Sequence, residues 1–280
     1  MKIMINGVDA DIQPETEKTV GEILCGLDTW LAGTGYRLSG LSIDGETVSA
    51  GSMELCFGRD INTVDTLNIS ASPILELFAE GLVQTLKDID DFEAADFGEK
   101  SLFAEQWKQS PQALLLEEQS PELFNWAVKT FSGEGSNPES FRLIIEERFH
   151  ELQNPEAEIS KAEPLVNEIC TRLEELSLDI QTGKDARAAE TIRTFSGVTE
   201  KVFRIINILR KKGFPIEEIT AENLSISAYI GEFNTALREL LAAYEQHDSV
   251  LVGDLAEYEM APRLRSLHST VLNVITRREP

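Results

Sequence analysis

The spacing of apolar residues changes once along the chain, near Pro73. Before it, short alternating runs are broken by Asn-Gly and Asp-Gly; after it, apolar residues recur every three to four positions. Period two marks a half-buried strand, and a period of 3.6 marks an amphipathic helix. In the first 72 residues, Lys2–Ile5 alternates into Asn6-Gly7 and residues 8–12 run back, a hairpin signal. Thr19 followed by Glu22 has capping-box spacing, and Val20, Ile23, Leu24, Leu27 and Leu31 form one helical stripe ended by Gly33 and Gly35. Tyr36, Leu38 and residues 41–43 lead to a second turn at Asp44-Gly45, and residues 53–57 and 66–70 predict two further strands.

From residue 73 onward the pattern predicts helices. Pro73 suits a first helical turn with Ser72 as its cap, and Ile74, Leu77, Phe78, Leu82, Leu86 and Ile89 give an apolar face. An acidic stretch, 88–99, follows. Ser-Pro pairs at 110–111 and 120–121 each start a short helix. The Gly/Ser/Asn run 132–138 reads as a loop, residues 138–152 as a helix, and Asn154-Pro155 as a boundary. From 156 the chain predicts four helices. Their stripes run from Leu165 to Ile180, Ile192 to Leu209, Ile226 to Leu241 and Leu251 to Ile275. Short loops make an antiparallel bundle the expected packing. Its hairpins echo each other: Glu-Leu-x4-Gln-x3-Asp at 175–185 and Glu-Leu-x5-Gln-x-Asp at 239–248.

A hairpin, one helix and further strands within about 70 residues resemble a β-grasp (ubiquitin-like) domain. The resemblance implies a docking or register-setting module, since such domains offer a sheet face or edge to partners. No di-glycine tail follows, so conjugation as a modifier is not implied. The string Gly253-Asp254-Leu255-Ala256-Glu257-Tyr258-Glu259-Met260-Ala261-Pro262 resembles segments of poorly characterised helical proteins of bacteria, and no function comes with it. The expected fold is therefore α+β. A small N-terminal β-grasp-like domain (1–72) precedes an irregular helical region (73–155) and an antiparallel four-helix bundle (156–280).

Charge narrows the function. The 280 residues carry 49 acidic and 25 basic side chains, a formal net charge of −24. The surplus is spread over all three regions: −7 in 1–72 (4 basic, 11 acidic), −11 in 73–155 (6 and 17) and −6 in 156–280 (15 and 21). Such a field repels phosphate backbones and anionic lipid, so nucleic acid is not an expected partner; a basic protein, or one presenting an amphipathic helix, is. Cys25, Cys56 and Cys170 are scattered and odd in number, which points to a reducing, cytoplasmic setting. No apolar run approaches the ~18 residues of a membrane span, so membrane insertion is not expected.

No residue set spells a reaction. His150, His247 and His268 are far apart, and neither a Walker loop nor a nucleophile elbow occurs. The run Asp88-Ile89-Asp90-Asp91 lacks the glycine and terminal glutamate of a calcium loop. Accordingly no catalytic residue, metal or cofactor is expected. The chain reads as a non-enzymatic interaction protein: an adaptor, assembly factor or chaperone-like binder. Two candidate partner-binding sites emerge. One is the phenylalanine-studded acidic strip Asp88, Asp90, Asp91, Phe92 and Phe97. The other is Asp254, Glu257, Tyr258 and Glu259, a polar groove around the kink that Pro262 should cause. The alternatives are an enzyme or small-ligand protein with a carboxylate-lined pocket in the bundle, and a homo-oligomeric scaffold.

Overall fold

The computed structural model describes residues 1–49, 52–135 and 137–276. Ser136, in the expected loop, and the last four residues of the expected bundle lie outside the described residues. The chain is α+β and divides into two compact units, 1–146 and 147–280.

The first unit opens with a mixed sheet of β1 (Lys2–Ile5), β2 (Val8–Asp9), β3 (Tyr36–Ile43), β4 (Glu46–Thr47) and β5 (Thr66–Pro73), in the order β2-β1-β5-β3-β4. β5 pairs parallel with β1 and antiparallel with β3, the order and senses of a β-grasp sheet. Both turn dipeptides take positive φ at each residue (Asn6 and Gly7; Asp44 and Gly45), as a two-residue hairpin requires. The helix packed along the sheet, α1 (Val20–Gly33), starts with the expected Thr19–Glu22 capping box. It buries Val20, Ile23, Leu24 and Leu27 against Ile3, Leu41, Ile43, Leu67 and Ile69, and Leu31 is buried as well.

Two expectations fail here. Residues 53–57 form a short helix, α2 (Met53–Phe57), not a strand. A five-residue apolar run is ambiguous between the two periods, and Met, Glu and Leu favour helix. α2 crosses α1 at Gly21, where an added Cβ would lie 2.9 Å from the Phe57 carbonyl oxygen. Pro73 ends β5 rather than opening a helix, and Ser72 caps nothing. Ser72 stays in the ladder opposite Arg37, with its hydroxyl on that of Ser39 at 2.9 Å.

The unit continues through α3 (Ile74–Ala94), α4 (Phe97–Trp107), α5 (Pro111–Gln119), α6 (Pro121–Phe131) and α7 (Pro138–Gln153), the helix within which the division falls. An aromatic nucleus holds them. Phe131 has ring centroids 5.0–5.4 Å from those of Phe92, Phe103 and Trp107, and Phe141 closes the group at 6.2 Å.

The second unit comprises α8 (Pro155–Lys161), α9 (Glu163–Glu174), α10 (Leu176–Gln181) and α11 (Asp185–Lys211). After them come a minimal hairpin of β6 (Thr220–Ala221) and β7 (Leu224–Ser225), then α12 (Ile226–Glu245) and α13 (Ser249–Asp254). A π-helical segment, Leu255–Met260, and α14 (Ala261–Thr276) complete it. One core joins these segments, centred on Phe195, Tyr229, Phe233, Leu240, Leu264 and Leu267. The expected first helix, with its stripe from Leu165 to Ile180, is two pieces, α9 and α10, preceded by the separate α8, and the hairpin at 220–225 had no signal in the spacing. Leu165, Leu241 and Leu251, assigned to core stripes, are exposed, whereas Val166 and Val252 are buried. His268 is buried, its Nε2 2.7 Å from the Ile159 carbonyl oxygen.

Close approach of a side chain fixes a second helical glycine. A Cβ on Gly253 would sit 2.5 Å from the Cβ of Ser177. Gly253→Ala should therefore cost about 1–3 kcal/mol in urea unfolding, and most of that loss should vanish in a Ser177→Gly background. An equal loss in both backgrounds would mean that this approach is not the constraint.

Candidate functional site

The acidic strip lies on a helix, and the helix divides it. α3 runs unbroken to Ala94, so Asp88 and Phe92, one turn apart, face inward, while Asp90 and Asp91 face solvent. Asp88 accepts hydrogen bonds from Gln84 Nε2 (3.1 Å), Trp107 Nε1 (2.8 Å) and Gln112 Nε2 (2.8 Å). It ties α3 to α4 and α5. Phe92 packs edge-on against Phe103 and Phe131, with the Lys100 ammonium over its ring at 5.3 Å. Asp90 and Glu93 hold Arg142 at 2.6 and 3.1 Å. Only Asp91 and Phe97 of the five stand free in solvent, Phe97 at 93% exposure. As a continuous docking strip the assignment is corrected: two of its residues are structural.

The kink residues lie in the second unit. Pro262 is accommodated by a change of hydrogen-bond register: Ala261 N–H bonds the Ala256 carbonyl five residues back. Proline lacks an N–H and crowds the carbonyl four residues earlier, so a wider turn just before it relieves both defects. Glu259 bonds Arg263 at 2.8 Å, and Arg263 reaches Glu232 at 3.4 Å. A groove of about 630 Å³ does form here, but Glu259 shares it with Glu232 and Glu239 of α12. Asp254, Glu257 and Tyr258 do not line it. Tyr258 is 66% exposed, and its hydroxyl is raised by the hydrogen bond to Glu257 and by that charge. The buried anchoring tyrosine is Tyr229, bonded to Glu222 (3.1 Å) and to the Arg263 carbonyl (3.3 Å).

Two larger features had no clear signal in the sequence. The first is apolar and lies on the head. α1 buries only its stripe, so grooves remain along both of its flanks. One, of about 780 Å³, runs past Leu24 and Cys25 to Leu38 and Phe57, with Glu22 and Asp28 as carboxylates on its rim. The other, of about 580 Å³, lies between Leu27, Trp30 and the β1–β2 hairpin at Ile5, Val8 and Ile12. Trp30 is 58% exposed and Phe57 44%. An off-stripe tryptophan on an amphipathic helix was the available clue.

The second feature is a buried charge network in the second unit. Arg204 bonds Glu151 through Nε and Nη2 at 3.1 and 3.0 Å, and Lys201 lies within 2.5–3.7 Å of Glu147, Glu151 and Glu158. Burial raises the Glu151 carboxyl to about 7, against the pull of Arg148 and Lys201. A carboxyl so perturbed is a candidate proton donor. Glu151, however, is fully enclosed and lines none of the cavities described here, so it acts as a strut between α7 and α11.

Parts of the chain resemble known sequences. Residues 1–73 match the model of the TP0873 N-terminal domain, and residues 157–270 match a domain of unknown function, DUF8042. An uncharacterized protein of Treponema pallidum (strain Nichols) is 29% identical over 111 residues, 36% of this chain and 50% of that protein. The chain thus spans about half the length of this curated relative. No solved structure matches it. The flanks of α1 fall within the first matched segment, and the π segment within the second.

The two classes of acid in the strip should separate experimentally. Asp88→Ala strands the indole N–H and two amides, and should cost about 2–3 kcal/mol of stability. Asp91→Asn should change it by less than about 0.5 kcal/mol. Urea titrations followed by tryptophan fluorescence check both; equal effects would contradict the assignment.

Proposed function

We propose that this chain is a non-enzymatic binding protein, an adaptor, assembly factor or chaperone-like module, working in the cytoplasm. Its head would take an amphipathic helix with a basic edge. The supporting observation is the groove between α1, β3 and α2, with an apolar floor and the carboxylates of Glu22 and Asp28 on its rim. The α1 wall from Gly21 to Asp28 is about 10 Å long, room for roughly two turns of a partner helix. Isolated exposed apolar residues are ordinary, but apolar grooves on both sides of one helix are the usual mark of a docking surface.

The sign of the charge supports the same reading. The head carries 4 basic against 11 acidic side chains. Arg37, beside the groove, is held by Asp28 at 3.4 Å and by Glu118. Arg59 is held by Asp44 at 3.1 Å. Asp28 is shared with Arg37 and Glu22 with the start of α1, so lysines on an arriving helix would meet the head's overall surplus of acid over base, and a basic edge would speed encounter and set orientation. No helix among the described residues is long and apolar enough to cross a membrane.

Capture of the tagged protein from its native host with a carbodiimide cross-linker tests this. That reagent joins carboxylates to lysines, so Glu22 or Asp28 should appear coupled to a lysine on a partner segment with an apolar stripe. Cys25→Arg, at an exposed position on the groove wall, should reduce recovery of that partner at least tenfold while leaving the urea midpoint unchanged. Undiminished recovery with Cys25→Arg, or no cross-link on the head, would overturn the reading.

A further inference from the structure

Two helix ends in the second unit meet at one cavity, and they are the two turns whose sequences echo each other. α10 closes with Gly183 N–H bonded to the Ile180 carbonyl and Lys184 N–H bonded to that of Asp179. α12 closes the same way, His247 N–H to Tyr244 and Asp248 N–H to Ala243. This double closure needs one residue in the left-handed region, where glycine is the ordinary choice. The first turn uses Gly183 at φ +71°; the second uses His247 at φ +56°. A side chain is thus kept at a strained position, and strain of this kind clusters where a side chain has work to do.

That side chain lines a cavity of about 290 Å³, at the small end of ligand pockets. The floor is apolar: Ile180, Ala188 and Val252. Around it stand Asp185, Tyr244, His247 and Ser249, none of whose side chains makes a hydrogen bond or ion pair with another described residue. The neighbouring charges are already committed. Arg187 bonds Asp179 at 2.5 Å and Glu175 at 3.3 Å, and Lys184 lies 3.6 Å from Asp179. The Asp185 carboxylate, exposed at the cavity mouth, has no cation paired with it among the described residues and stands beside an aromatic ring, an imidazole and a hydroxyl. Its place in the first turn of α11 suits a carboxylate for helix-dipole reasons alone, but that role leaves the other three groups unexplained.

We propose that this cavity binds a small organic cation, an ammonium group carried on a short apolar or aromatic body. The carboxylate supplies the counter-charge. The unprotonated imidazole nitrogen and the hydroxyl oxygens can accept the ammonium's hydrogens, and the Tyr244 ring favours a cation at its face. The aliphatic floor takes the body. An anion would meet the Asp185 charge and the acidic field of the whole chain. A bare metal ion would need three or more His, Cys, Asp or Glu ligands together, and no such group exists among the described residues.

Phenethylamine is a suitable probe, with 2-phenylethanol as its neutral isostere and 3-phenylpropionate as the anion. Calorimetry or ligand-observed NMR on the full chain should show saturable one-to-one binding of the amine. The alcohol should bind at least tenfold more weakly, and the acid not at all. Asp185→Asn should weaken the amine at least tenfold. His247→Gly should do the same while keeping or raising the melting temperature, since glycine relieves the left-handed strain; lost binding there cannot be ascribed to unfolding. Absence of saturable binding up to about 10 mM, equal binding of the alcohol, or unchanged affinity in either variant would overturn the proposal.

Discussion

Strand β5 is the constraint on which the head depends. It lies between β1 and β3, and both hairpin turns reach back to it with side chains. The Asn6 amide exchanges hydrogen bonds with the backbone of Ala71 at 2.8 and 2.9 Å, extending the parallel ladder by one residue. Asp44 accepts the N–H groups of Asp65 and Thr66 at 2.8 Å, which lowers its carboxyl pKa. The turn residues therefore do two jobs: each adopts the positive φ its hairpin demands, and each pins that hairpin to the central strand. At Pro73 the same strand passes into α3, whose first N–H is taken by the Gly35 carbonyl at 2.9 Å.

The grooves beside α1 follow from this arrangement. A sheet in which only β3 and β5 reach eight residues and two strands have only two offers one helix a narrow seat. α1 fills it with a single apolar stripe, and a domain this small has little further chain with which to cover the flanks. α2 covers part of one flank, brought close by Gly21, and its Phe57 becomes a wall of the groove. Around this surface the basic residues are largely taken up. Within the head, Lys2, Arg37 and Arg59 each bond at least one carboxylate. The head thus keeps an excess of acid over base, 11 side chains against 4.

The head was legible from sequence because its signals are local. A two-residue turn, a capping box and one stripe each depend on residues within a few positions of one another. The failures were cases in which distant pairing decided. Ser72-Pro73 carries a helix-start signal, yet its backbone is already paired with Arg37 and Tyr36 in β3. Residues 53–57 have too few positions to show a period. The candidate sites were less legible, because acidity marks composition and not direction. Asp88 and Asp91 look alike in the sequence, but one is enclosed by an indole and two amides and the other is in solvent. Pro262 announced a distortion at the right place, although its form, a π-helical register change, depended on the surrounding core. The strained His247 could not be recognised until its turn was seen beside that of Gly183.

Cys25 offers the most direct measurement of whether the groove beside α1 is used. Its thiol is exposed on the groove wall, and its alkylation rate can be read by mass spectrometry in intact host cells and in the purified protein. An occupied groove predicts markedly slower labelling of Cys25 in cells than in the pure protein, relative to the half-buried Cys56 of the same molecule. The same relative rate in both settings would show the groove open in the cell and would contradict the claim that the head is a docking module.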